Sequence, residues 1–104
     1  MADAEQSPAA APTLADRTVA CARALLGDDV LEVVAFRGET TIIVPPARIV
    51  ALCQALRDAP DLRYDFLVDV TAVDWPDRVP RFDVVYHLLS IPTRAAVRLK
   101  VRVG

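Results

Sequence analysis

The chain contains one histidine, His87, so any nucleophile–base arrangement must use it. A hydrolytic or transfer reaction would need His87 beside Ser90 or a cysteine, close enough to relay a proton. Ser90 lies three residues further along the same extended segment, which puts it on the opposite face of a strand. Cys21 and Cys53 stand alone in segments that read as helices, with no CxxC spacing, so zinc or iron–sulfur ligation at normal ligand numbers is not expected. Both are read as small buried hydrophobes in a reducing compartment. Carboxylates are plentiful at Asp65, Asp69, Asp74, Asp77 and Asp83, and Asp65 and Asp69 could share a face with Thr71. Each is nevertheless read as a solvated or turn-capping side chain rather than an acid–base pair. The glycines, Gly27, Gly38 and Gly104, are scattered and form no phosphate-cradling loop. Tyr64, Phe66, Phe82 and Tyr86 could build a base-stacking platform, but Phe66, Phe82 and Tyr86 fall on an apolar alternation and read as core. The expectation is therefore no catalytic residue, no metal ligand and no cofactor-binding residue in this chain.

The elements that would position these groups are set by periodicity. Val97, Leu99, Val101 and Val103 alternate with Arg98, Lys100 and Arg102, the period of two of a half-buried strand with one basic face. Phe82 to Leu89 puts Phe82, Val84, Tyr86 and Leu88 on one face; Phe66 to Val73 puts Phe66, Val68, Val70 and Ala72 together in the same way. Prolines in Asp74–Pro80 and in Ile91–Thr93 interrupt the ladders, so residues 62–103 read as a three-stranded antiparallel meander. Upstream, Thr13-Leu14-Ala15-Asp16 resembles a capping box with Asp in the place of Glu. Leu14, Thr18, Cys21, Ala22 and Leu25 follow at helical spacing, and Gly27 supplies a stop, which predicts a helix over 14–26. Val30–Phe36 and Thr40–Val44, joined by Arg37-Gly38-Glu39, predict a hairpin. Pro45-Pro46 then opens a second helix whose stripe is Ile49, Leu52, Cys53 and Leu56, ending at Asp58. The order is α-β-β-α-β-β-β. It predicts an α+β two-layer sandwich, a mixed or antiparallel sheet with both helices on one face.

Composition agrees with a single domain over 13–104. At 104 residues such a domain buries roughly two-thirds of its unfolded surface. A hydrophobic fraction of 54% with 25% charged residues suits a compact fold. The net charge of -2 gives no reason to expect nucleic acid. From Arg81 onward five cations face one carboxylate, about +4, which leaves about -6 for the remainder. That asymmetry is consistent with a docking surface or with an ordinary solvated strand face. Residues 1–12 have neither a basic start nor an apolar run and read as a disordered tail rather than a signal peptide. No stretch approaches the ~20 apolar residues of a membrane span.

The strings FLVDVTAVDWPDRVPRFDVVYHLLS and VRLKVRV, preceded by RGETTIIVPPARIVALCQALRDAPDLRYDFL, resemble the C subunit of proton-pumping NADH:quinone oxidoreductase, also called the thirty-kilodalton subunit. The similarity runs over about 28–103, the N-terminal domain of that family. It implies an α+β domain on the peripheral arm of respiratory complex I, at the cytoplasmic side of the inner membrane. Its partners would be the hydrogenase-like large subunit and the cluster-bearing subunit of the quinone module. NADH, FMN, iron–sulfur clusters and quinone would be handled by those neighbours, with electron transfer coupled to proton translocation, and this chain would be a non-catalytic assembly subunit inserted in no membrane. His87, Arg94, Arg98, Lys100 and Arg102 are the candidate partner contacts. The family continues with an acidic E-R-E-type signature, whereas this sequence stops at Gly104. The expectation is a fragment, a truncated member, or a domain borrowed by a related machine. Two other functions remain open: the equivalent module of a membrane-bound hydrogenase or formate-oxidising complex, and a stand-alone sheet-surface binder of small ligands or RNA.

Overall fold

Four residues start the first helix. The Thr13 hydroxyl accepts the Asp16 backbone N–H at 3.0 Å, and the Asp16 carboxylate accepts the Thr13 N–H at 3.1 Å. This reciprocal box satisfies two otherwise orphaned donors and opens α1, Leu14–Leu26. Gly27, at φ +56°, ends it as expected. A computed structural model describes residues 13–104, so the tail expected over 1–12 lies outside the described residues. The buried stripe of α1 is Thr18, Ala22 and Leu26, while Leu25, expected on that stripe, faces solvent.

Strands β1 (Glu32–Phe36) and β2 (Glu39–Ile43) form the hairpin. Its two central residues, Arg37 and Gly38, both have positive φ, the signature of the two-residue turn whose twist matches flanking strands. Pro45 leads into one 3-10 turn and then α2, Ile49–Asp58, which buries Leu52 and Leu56. The meander follows as β3 (Phe66–Asp74), β4 (Phe82–Ser90) and β5 (Ala95–Val103). Sheet order is β1-β2-β5-β4-β3. Every neighbouring pair is antiparallel except β2 with β5, which run parallel through Thr41–Arg98, Ile42–Leu99 and Ile43–Lys100. The sheet is therefore mixed, and the α+β sandwich has the expected order.

The core joins Ala22 and Leu26 of α1, Leu52 and Leu56 of α2, and Ile42, Leu88, Val97, Leu99 and Val101 of the sheet. Beside it Tyr64 and Thr18 share a buried hydroxyl–hydroxyl hydrogen bond of 2.9 Å. Thr18 already donates to the Leu14 carbonyl at 2.7 Å, so it accepts from Tyr64.

The expected alternation of β3 is corrected by the register. Leu67 lies opposite Leu88 but Asp69 lies opposite His87, so Val68 is an extra residue in a bulge. One inserted residue reverses the phase of the pleat. Leu67, Val70 and Ala72 therefore share the helix side, and Phe66 joins Asp69, Thr71 and Val73 on the other. Phe66, expected in the core, is exposed; Phe82 and Tyr86 are half-buried.

Candidate partner interface

The sheet face away from the helices is built from the second set of alternating residues. On β5 these are Arg98, Lys100 and Arg102; cross-strand pairing brings His87 opposite Arg98 and Asp83 opposite Arg102. Residues directly opposite on an antiparallel pair project from the same face and reach one another. On the other side of β5, the hairpin contributes Glu32 and Glu39. Arg98 donates to Glu39 at 2.7 Å, and Arg102 lies 3.8 Å from both Glu32 and Asp83. Lys100 lies 3.8 Å from Asp83, and His87 is 3.7 Å from Asp69. The basic stripe thus runs between two acidic margins. Four of the five expected contact residues, His87, Arg98, Lys100 and Arg102, come together on this face.

Arg94, the fifth, sits in the β4–β5 turn with φ +61°, its N–H bonded to the Ser90 carbonyl at 2.7 Å. It borders a depression of about 660 Å³ together with His87, Arg98 and Thr13 at the start of α1.

Asp83 is the centre that sequence reasoning missed. Expected to be solvated or turn-capping, it is only 3% exposed. Residues 75–81 fold back over it: Trp75 Nε1–H donates to its Oδ2 at 3.1 Å, and Arg78 grips both carboxylate oxygens. Arg78 also stacks on the Trp75 ring at 5.4 Å, and Arg81 forks onto Asp74 at 2.7 and 2.9 Å. Burial pushes the Asp83 carboxyl up, but the Arg78 hydrogen bond and charge, the Lys100 charge and the Trp75 N–H outweigh it. The net result is a pKa below the usual aspartate range. The available sequence signal was the alternation of β4, which puts Asp83 on the face of Arg102 and Lys100.

Ser90 is fully buried at the end of β4, where its hydroxyl accepts the Thr93 N–H of the following turn at 3.4 Å. Burial pushes both thiols above their ordinary value, at Cys21 with Asp61 adding in the same direction. Both therefore stay protonated at neutral pH. Among the described residues no group of three His, Cys, Asp or Glu side chains is placed to hold a metal ion, and no helix is long and apolar enough to cross a membrane. The arrangement suits recognition of a charged surface.

Residues 42–104 match the family model described as the respiratory-chain NADH dehydrogenase, 30 Kd subunit. The chain is 47% identical over 81 residues to the C subunit of the NADH-quinone oxidoreductase of Roseiflexus sp. (strain RS-1), covering 78% of this chain and 47% of that one. It is 47% identical over 88 residues to the corresponding protein of Geotalea uraniireducens (strain Rf4), covering 85% and 52%. With that of Caulobacter sp. (strain K31) the identity is 55% over 65 residues, 62% and 30% of the two chains. The chain spans about half the length of the first two of these curated relatives.

Proposed function

We propose, on the premise that this chain belongs to the respiratory-chain NADH dehydrogenase 30 Kd subunit family, that it is a non-catalytic assembly subunit of an NADH-quinone oxidoreductase. In this reading it holds redox-active neighbours at fixed spacing in the peripheral arm. The hydrogenase-like large subunit and the cluster-bearing subunit of the quinone module are its partners, and they carry the electrons from NADH to quinone that are coupled to proton translocation. It sits on the cytoplasmic side of the inner membrane without entering it. NADH, FMN, iron–sulfur clusters and quinone are bound by its neighbours.

The observation that supports this reading most is the uncovered sheet face, where His87, Arg98, Lys100 and Arg102 are held in fixed rows by Glu32, Glu39, Asp69 and Asp83. Charges arranged in advance on a rigid sheet fix orientation and reject wrong partners more than they add affinity. Arg94 extends the same surface around the end of the sheet.

The test is co-production with the NADH-quinone oxidoreductase subunits of the same organism, followed by affinity capture on this chain. Capture of the large subunit at low salt is expected, weakened by the Arg98→Glu, Lys100→Glu double variant. Failure of the unaltered chain to retain any of those subunits would remove the reading.

A further inference from the structure

The last strand of the sheet is left uncovered. No residue of β3 belongs to the core cluster, and Phe66, Leu67, Val68, Val70 and Val73 each leave more than two-fifths of their surface exposed. The Val68 bulge divides them between the two faces, so both sides of the strand show open apolar surface, interrupted by Asp69 and Thr71 on the face away from the helices. On the helix side the uncovered space continues as a cleft of about 420 Å³, bordered by Ile49, Val50, Cys53, Leu67 and Tyr86. Among the described residues β3 is also an edge, with β4 as its sole neighbour, so alternate backbone N–H and C=O groups have no partner there. Edge strands are ordinarily short or guarded by charges, prolines or bulges; β3 has nine residues, no lysine or proline, and as guards only Asp69, Asp74 and the bulge. Its bulge lies at the third residue, leaving Val70–Val73 a regular template.

We propose that the β3 edge receives an extended strand from a different polypeptide, apolar in its middle and flanked by lysine or arginine. The inference rests on the assembly reading above and names a surface distinct from its charged face. A strand fits better than a helix, because a helix in the cleft would cover Leu67 and Val70 but leave Phe66 and Val73 wet. Strand addition continues both faces at once and satisfies the outward backbone groups. A second copy of this chain fits poorly. Residues 65–81 carry four aspartates against two arginines, so a copy would bring like charge to like charge, whereas a basic partner complements Asp65 and Asp69.

Amide hydrogen exchange separates the possibilities, measured on the isolated chain and on the assembly captured with the same organism's NADH-quinone oxidoreductase subunits. The outward amides of 66–74 are expected to exchange freely in the isolated chain and at least about tenfold more slowly in the assembly. A Val70→Lys, Val73→Lys variant is expected to keep the protection of β4 and β5 in isolation and to lose most capture. If the assembly forms with β3 exchange unchanged, or captures the double variant fully, the strand-addition site is wrong while the assembly reading stands. If no subunit is captured, both fall. If the isolated chain dimerises with β3 protected, the occupant is a second copy and the proposal is overturned.

Discussion

Trp75 Nε1–H and Asp83 Oδ2 lie 3.1 Å apart, which fastens the β3–β4 connection onto the open sheet face. The bond does two things. It fixes the indole of the exposed Trp75, and it helps to seal a carboxylate away from water among Arg78, Lys100 and Arg102. The segment 75–81 is thereby anchored at Asp83, in addition to the fork of Arg81 on Asp74.

Replacing Asp83 with Ala leaves three cations facing one another. Breaking a buried charge cluster by removing one member costs about 3–5 kcal/mol, but the cations here retain about a third of their side-chain exposure, so about 2 kcal/mol is expected. Urea titration of the variant beside the unaltered chain measures it through the shift in midpoint. A midpoint unchanged within error would show that the carboxylate does not organise the loop.

Asp83 also sets an acid limit. Its folded pKa lies below the ordinary aspartate value, so its stabilisation is present above about pH 4 and is lost as pH falls through the folded value. The stability gap between the unaltered chain and Asp83→Asn is expected to be constant near neutrality and to narrow in that acid range. Unfolding curves at several pH values give the comparison, and a gap independent of pH down to about 2 would contradict it.

Tyr64→Phe removes the donor to Thr18 while keeping the ring. Thr18 then holds a buried lone pair with no partner, a loss of about 1 kcal/mol. Burial raises the Tyr64 pKa. Its contribution is therefore full below about pH 10 and lost as pH rises through the folded value, and Tyr64→Phe is expected to lack that alkaline decline. Spectrophotometric titration of the phenol at alkaline pH reads the shift directly.

Arg98 and Glu39 form an ion pair with a third and two-thirds of their side chains exposed, which is worth under about 1 kcal/mol. Arg98→Ala is expected to leave the thermal midpoint nearly unchanged. The effect of altering Arg98 on partner capture can then be read as binding, with thermal melting as the control.

Thr13→Ala removes one half of the capping box that starts α1, at a cost of about 1 kcal/mol. Thr13→Ser should recover most of it. Equal melting of all three forms would show that packing of Ala22 and Leu26, rather than the cap, fixes where the helix begins.

Much of this architecture was written in short-range pattern. The box at Thr13 and Asp16 with Gly27 gave α1 its observed limits, and Val97, Leu99 and Val101 gave β5 its buried face. Three features were not legible, each for a reason of geometry. The bulge at Val68 has no local marker in a run of apolar residues, and it turned Phe66 to the wrong side. The burial of Asp83 depends on a loop folding back, a contact that no periodicity records. The parallel pairing of β2 with β5 joins residues more than fifty positions apart, while alternation specifies a face and not a neighbour. In the candidate interface, the cations were visible as a stripe on β5, but their acidic margins come from the other four strands.

That parallel pairing has a mechanical corollary. The hairpin with its helices is one locally closed piece and the meander another, and in the sheet they meet along a seam of three residue pairs lying over the core. A nick in the connector between α2 and β3 would leave the two pieces joined by that seam, by the packing of Leu52 and Leu56 with Leu99 and Val101, and by the pairs of Arg98 with Glu39 and Arg102 with Glu32.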